Sequence, residues 1–186
     1  WKEGKILDMM TFPNKGVALQ KTQVGICFDR NYLYISFLAE KNPKYQLKAR
    51  KQEKEEGHIW SDDNFEVFLD PFLTREKYYH FIINPLGEIY DAECVERLIP
   101  DPKAADPSEK ISQIESNLGW KSNAVVWTKI EEDRWGVLVK IPFSDFGLRS
   151  APKGCIWGAN FCHTNREINE LSQWKITTGG FHQPRE

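Results

Sequence analysis

Trp60, Asp62, Asp63 and Glu66 fall within seven residues, in the run His58-Ile59-Trp60-Ser61-Asp62-Asp63-Asn64-Phe65-Glu66-Val67-Phe68-Leu69-Asp70-Pro71. An indole beside several carboxylates suits a sugar ring. The apolar C–H face of a pyranose stacks on the aromatic plate, and its hydroxyls donate charge-assisted hydrogen bonds to the carboxylates. Two plainer roles compete: a Trp at a strand entrance can be a hydrophobic plug, and acids there can simply solvate a turn. Asp62 and Asp63 divide between hydroxyl ligand, cation ligand and turn residue. Hydrolysis would need two carboxyl groups flanking the scissile bond, about 5–5.5 Å apart for retention or 6.5–9.5 Å for inversion. All three candidates come from one short segment without an obvious partner elsewhere, so a glycoside hydrolase is the weaker reading. Nucleophilic catalysis has no Gly-x-Ser-x-Gly run to support it, and the four His are scattered.

The element that must carry these groups is a β-strand. Phe65, Val67 and Leu69 alternate with Asn64, Glu66, Phe68 and Asp70, the period of a sheet with one face in the core. Pro71 cannot donate to a ladder and should end the strand. Glu66 then falls on the polar, solvent-facing side.

The rest of the chain is dense in β signals. Residues 1–19 read as an irregular lead-in or short edge strands. Residues 22–29, with Val24, Ile26 and Phe28 on one face, and residues 32–39 form a hairpin across Asp29-Arg30-Asn31. Residues 41–57 mix bases with acids and read as a solvated loop or short surface helix. Residues 77–84 form a strand, Asn84-Pro85-Leu86-Gly87 a turn, and residues 88–91 the return. Residues 94–119 show weak periodicity and read as a surface excursion with a short helix near 108–114. Residues 124–130 and 135–141 pair across a polar loop, Ser144-Asp145-Phe146-Gly147 is a capped turn, and 155–162 is the last strand before a polar tail. The expected fold is all-β: an antiparallel sandwich, jelly-roll or immunoglobulin-like, with short peripheral helices, built as one domain over 1–186. Trp127, Trp135 and Trp157 lie on strand patterns and are expected in the core.

Composition narrows the function classes. With 186 residues and a net charge of −2, nothing favours a nucleic-acid or anionic-membrane partner. No apolar run approaches the roughly 20 residues that span a bilayer. No signal-peptide pattern is visible, and the sequence opens at Trp1, which reads as a mature or trimmed form. Cys27, Cys94, Cys155 and Cys162 lack the paired spacing of a zinc site. Cys155 and Cys162 would face opposite ways on one strand, so they should not pair. Small buried apolar side chains are the expectation for all four.

In order, these segments resemble the family 9 carbohydrate-binding modules. The matching pieces are Phe28-Asp29 with Tyr32-Leu33-Tyr34-Ile35-Ser36-Phe37, Trp60 through Asp70, and Tyr79-His80-Phe81-Ile82-Ile83-Asn84-Pro85-Leu86-Gly87. They continue with Trp135-Gly136-Val137-Leu138-Val139-Lys140-Ile141-Pro142-Phe143, Trp157-Gly158-Ala159-Asn160-Phe161-Cys162 and Ser172-Gln173-Trp174. The resemblance implies a non-catalytic β-sandwich that holds a mono-, oligo- or polysaccharide unit or chain end. It further implies a secreted, periplasmic or cell-surface bacterial setting, with a glycoside hydrolase as associate. By position Trp60 matches one plate of an indole clamp, Trp174 is the candidate for the second, and Glu66 matches a sugar-binding carboxylate. Asp62, His163 and Arg166 are the neighbours expected to read hydroxyls. Structural calcium is implied, with its ligands unassigned, and no organic cofactor. One departure stands out: His163 occupies a place where relatives carry Arg, replacing a planar fork of donors with one donor and one acceptor.

Two other classes use the same sandwich. A haem site would need a ligand pair such as His80 with His163, since Met9 and Met10 precede the first clear strand. A protein-interaction module would use the exposed aromatics as a contact.

Overall fold

The computed structural model describes residues 5–12, 16–51, 58–104, 106, 108–178 and 180–185. Two antiparallel sheets pack face to face. The first has the strand order β1 (Lys5–Asp8), β3 (Thr22–Phe28), β4 (Tyr32–Glu40), β10 (Arg134–Pro142) and β9 (Val125–Ile130). The second runs β2 (Met10–Phe12), β12 (Glu170–Gln173), β11 (Gly158–Asn165), β5 (Asn64–Asp70), β6 (Lys77–Ile83), β7 (Ile89–Pro100) and β8 (Lys110–Asn117). The lead-in supplies two short edge strands, and the expected β-sandwich is what forms.

The period-2 pattern places the core. On β4, Leu33, Ile35, Phe37 and Ala39 are buried, while Tyr34, Ser36 and Leu38 face outward. On β10, Trp135, Val137, Val139 and Ile141 answer them in register. From the second sheet Phe65, Val67, Leu69, Phe81, Ile83 and Phe161 close the same cluster. Its centre is a stack of rings: Phe65 lies 4.5 Å from Phe37 at 13° and 4.2 Å from Trp135 at 19°. Offset stacking of this kind adds to the burial of three large apolar side chains.

The tight turns formed where their residue types demanded. Gly87 closes the Asn84 turn with φ 80°, its N–H donating to Asn84 O at 2.9 Å. The 3-10 turn Phe143–Phe146 is capped by left-handed Gly147.

Several expectations are corrected. No short helix forms near 108–114. β7 runs on to Pro100 and pairs with β8, making a two-stranded arm at the sheet edge. β8 is exposed along nearly its whole length, so neither face is obliged to be apolar and the period that marks a half-buried strand is absent. Of the two alternatives for residues 41–57, the loop is the one that residues 45–51 take, and the remainder, 52–57, lies outside the described residues. The last long strand is shifted to Gly158–Asn165, and a further strand, Glu170–Gln173, follows it. Trp135 is core, but Trp127 is half exposed on the outer side of edge strand β9, and Trp157 only partly buried. Cys94 and Cys162 are buried, Cys27 is half-buried and Cys155 is exposed; all four are free thiols.

Phe65→Ala should remove the middle ring of the stack and cost about 3–5 kcal/mol of stability, measurable as a shift in urea midpoint. A loss under about 1 kcal/mol would mean that the stack is not the centre of the core.

Candidate functional site

Trp60 sits on a single 3-10 turn, Ile59–Ser61, at the entrance to β5. Ile59 is buried and anchors the turn, while the Trp60 side chain stands outward at 48 % exposure. The turn is tied down at its carbonyls. His58 O accepts from Ser61 N at 2.9 Å, Ser61 Oγ at 2.7 Å and Arg50 Nη2 at 3.2 Å. Ile59 O and Asp62 O both accept from Asn64 Nδ2, at 3.2 and 3.1 Å. Trp60 O accepts from Arg166 Nη2. The His58 ring stands edge-on to the indole, 5.5 Å away at 82°.

Asp62 and Asp63 hold the surroundings of this turn. Both are essentially without solvent exposure. Asp62 accepts from Arg50 Nε on one oxygen and from Arg50 N and Asn84 Nδ2 on the other, at 3.0, 3.0 and 3.2 Å. Asp63 accepts from Arg166 N at 2.7 Å on one oxygen, and from Lys48 N at 2.7 Å and the Tyr45 hydroxyl at 2.9 Å on the other. Burial and the Asp63 carboxylate together push the Tyr45 phenol well above its ordinary value. Each carboxyl oxygen is thus engaged within the protein. Asp62, expected to read hydroxyls, is instead a buried staple.

Glu66 lies on the outer face of β5 as the alternation requires, but it is not solvent-facing. It is 6 % exposed, and its Oε2 is 2.8 Å from His80 Nε2. Phe68 stacks on His80 at 4.2 Å and 12°. Residues 181–185 roof this face. His182 stands edge-on to His80 and Phe68, at 4.7 and 5.1 Å, with Nδ1 2.6 Å from the Tyr78 hydroxyl. Arg185 pairs with Glu76 at 2.9 Å and Glu96 at 2.7 Å. Burial, with His80 nearby, lowers His182 to about 3.

His163 is on the opposite face. It pairs in register with Phe65, and its ring lies between the sheets 4.7 Å from the Phe65 ring, with Nδ1 2.9 Å from Thr22 Oγ1. It is corrected from a sugar-reading neighbour to a core histidine. The pairing of His80 with His163 as haem ligands fails for the same reason: one faces outward and the other inward.

Trp174 is 37 % exposed, and its ring packs 6.0 Å from Phe161. Its N–H donates to Phe161 O, which sets it level with Phe161 and Val67. Asn64, where the Trp60 turn meets the strand, is three residues back along β5, about 10 Å at the strand rise. Of the expected site residues, the structure joins Trp60, Asp62 and Arg166 in one cluster. Glu66 is set beneath the tail, Trp174 further along the edge, and His163 inside. Sequence reasoning overlooked Arg50, Tyr45 and Asn84, which satisfy the buried acids. The hint was the acid pair itself, since two adjacent carboxylates at a strand entrance need donors from somewhere. Among the described residues no group of three or more His, Cys, Asp or Glu side chains is arranged to hold a metal ion. Asp62 and Asp63, weighed as cation ligands from the sequence, are engaged within the protein.

No protein-family model and no curated protein matches the sequence. Solved structures do match by shape. A candidate carbohydrate-binding protein of Bacteroides uniformis superposes with TM-score 0.65 at 16 % identity, over 98 % of this chain and 82 % of that one. A family 9 carbohydrate-binding module of Caldicellulosiruptor kristjanssonii in complex with glucose gives 0.64 at 14 % identity, covering 100 % and 82 %. The same module type in complex with cellotriose gives 0.62 at 16 %, covering 100 % and 80 %. The fold is that of a family 9 carbohydrate-binding module. Within this CBM9-like fold the exposed indole of Trp60 stands at the entrance to β5.

Two outcomes test the site's construction. Asp63→Asn would turn an amide NH2 toward N–H donors and should cost about 1–3 kcal/mol, with faster hydrogen exchange at the Lys48 and Arg166 amides. Exchange unchanged at both would contradict the staple. For His163, burial lowers the folded value from 6.5 to about 3, so the unfolded chain binds a proton first as the solution is acidified. Stability attributable to this group should therefore fall as pH drops from 6.5 toward 3, by at most about 1.4 kcal/mol per pH unit. Denaturant midpoints for His163→Gln should decline less steeply between pH 7 and 5 than those of the parent, with the His182 contribution common to both. Parallel declines would refute the assignment.

Proposed function

We propose that this protein is a non-catalytic carbohydrate-binding module that takes its ligand against the exposed face of Trp60. The carrying observation is an indole 48 % exposed on a turn held at the carbonyls of His58, Ile59, Trp60 and Asp62. A plate held this way loses little freedom when a sugar stacks on it, and preorganisation of this kind is a direct gain in affinity. His58 and the Arg166 guanidinium border the plate and are suited to hydroxyl contacts. The CBM9-like fold supports the reading, as does the commitment of Asp62 and Asp63 to internal bonds.

Trp174 enters as a second plate. Its level, three residues further along the strand direction, suits a neighbouring ring of an oligosaccharide rather than the second face of one ring. A partly wet site of this type binds weakly, at micromolar to millimolar Kd, or about 4–8 kcal/mol. The reading extends to an extracellular or cell-surface setting beside a glycoside hydrolase.

Calorimetric titration with glucose and cello-oligosaccharides tests it. Trp60→Ala should abolish binding of both while the thermal transition stays within a few degrees of the parent. Trp174→Ala should weaken the oligosaccharides by about tenfold and glucose hardly at all, as for loss of one aromatic contact of about 1.4 kcal/mol. Retained affinity in Trp60→Ala would reject the site. Equal loss of glucose and oligosaccharide in Trp174→Ala would restore a two-sided clamp.

A further inference from the structure

At the end of the sandwich opposite the Trp60 turn, the two sheets do not close on one another. A pocket of about 1040 Å³ opens between them, at the upper end of the range of small-molecule sites, about 300–1,000 Å³. Ile26, Leu33 and Ile35 line it from one sheet and Leu69, Ala159 and Phe161 from the other. All six are apolar. One further lining residue shows that core-type surface is left uncovered here: Phe28, the last residue on the inward side of β3, is 67 % exposed. Contiguous apolar exposure of this kind marks a binding site more often than a solvated surface.

The rim carries charge of a definite sign. Arg30 and Lys153 border the mouth and are exposed, and among the described residues neither has a carboxylate partner. Asp29 also borders it, but its carboxylate is consumed by its own turn, accepting from Asn31 N, Tyr32 N and the Tyr34 hydroxyl at 2.7, 2.8 and 2.8 Å. An apolar interior offers a sugar no hydroxyl partners, so this pocket is unsuited to the ligand proposed for Trp60. Its chemistry asks for a hydrocarbon chain with an anionic head.

We propose that the inter-sheet pocket binds a single-chain fatty acid, its alkyl chain against Ile26, Phe28 and Ala159 and its carboxylate at the mouth between Arg30 and Lys153. The site is distinct from the sugar site and stands or falls without it.

Calorimetric titration of the whole chain with octanoate, decanoate and dodecanoate below their micellar concentrations tests the proposal. One-to-one binding should tighten about fourfold for each added methylene. Charge reversal at the rim, Arg30→Glu with Lys153→Glu, should weaken dodecanoate roughly tenfold and leave saccharide titrations unchanged. Ala159→Trp, which fills the wall of the pocket, should abolish fatty-acid binding in a chain whose thermal transition is retained. Should that variant fail to fold, the chain-length series and the charge reversal decide alone. Absence of saturable binding, affinity independent of chain length, or undiminished affinity in the rim variant or in folded Ala159→Trp would each overturn the proposal.

Discussion

Two carboxyl groups taken out of water at the entrance to β5 set the terms for the rest of this structure. Buried acceptors without donors are costly, and Asp62 and Asp63 obtain theirs from three parts of the chain. Residues 45–50, the Asn84 turn and the start of the β11–β12 connection at Arg166 all converge on them. Those segments have little regular structure of their own. What gives them one conformation is the need to meet the same two side chains. The exposed plate at Trp60 follows from this, because the Arg166 guanidinium that reaches Trp60 O belongs to the residue whose amide is bound by Asp63.

β5 divides the molecule into two environments. Inward, Phe65 joins the ring stack with Phe37 and Trp135, and His163 beside it is held neutral by burial. Outward, Glu66 and His80 form a polar pair under Phe68 and the tail from Phe181 to Arg185. The two candidate sites lie at the ends of the sandwich: an aromatic plate at the entrance to β5, and an apolar mouth at its exit. These ends differ in character because one is crowded with satisfied polar groups, while at the other the inward face of β3 outruns the sheet opposite it.

Strands whose two faces meet different environments were legible in advance. β3, β4, β5, β6, β9 and β10 lie where alternation, turn residues and Pro71 indicated, because burial of one face forces a period of 2. The β7–β8 arm was not legible. β8 and the far end of β7, from Arg97, are largely solvated, so hydrophobicity carries no clear period there, and pairing between the two strands makes them extended. Trp127 shows the same limit from the other side: a strand-like pattern tells that a residue alternates, but not that a sheet edge leaves its outer face uncovered.

For the candidate site, local sequence determined the residue types, the turn before β5 and the facing of each β5 side chain. Trp60 could be singled out from its neighbours alone. Tertiary structure decided which of those groups remain available. Asp62 is consumed because donors distant in sequence reach it, Glu66 is covered because the tail folds back across β6, and His163 turns inward because the register of β11 on β5 sets it opposite Phe65. Strand alternation is a property of consecutive residues and can be read from them. Register, burial beneath a returning segment and the pairing of buried charge depend on residues a hundred positions apart, and only the folded chain brings them together.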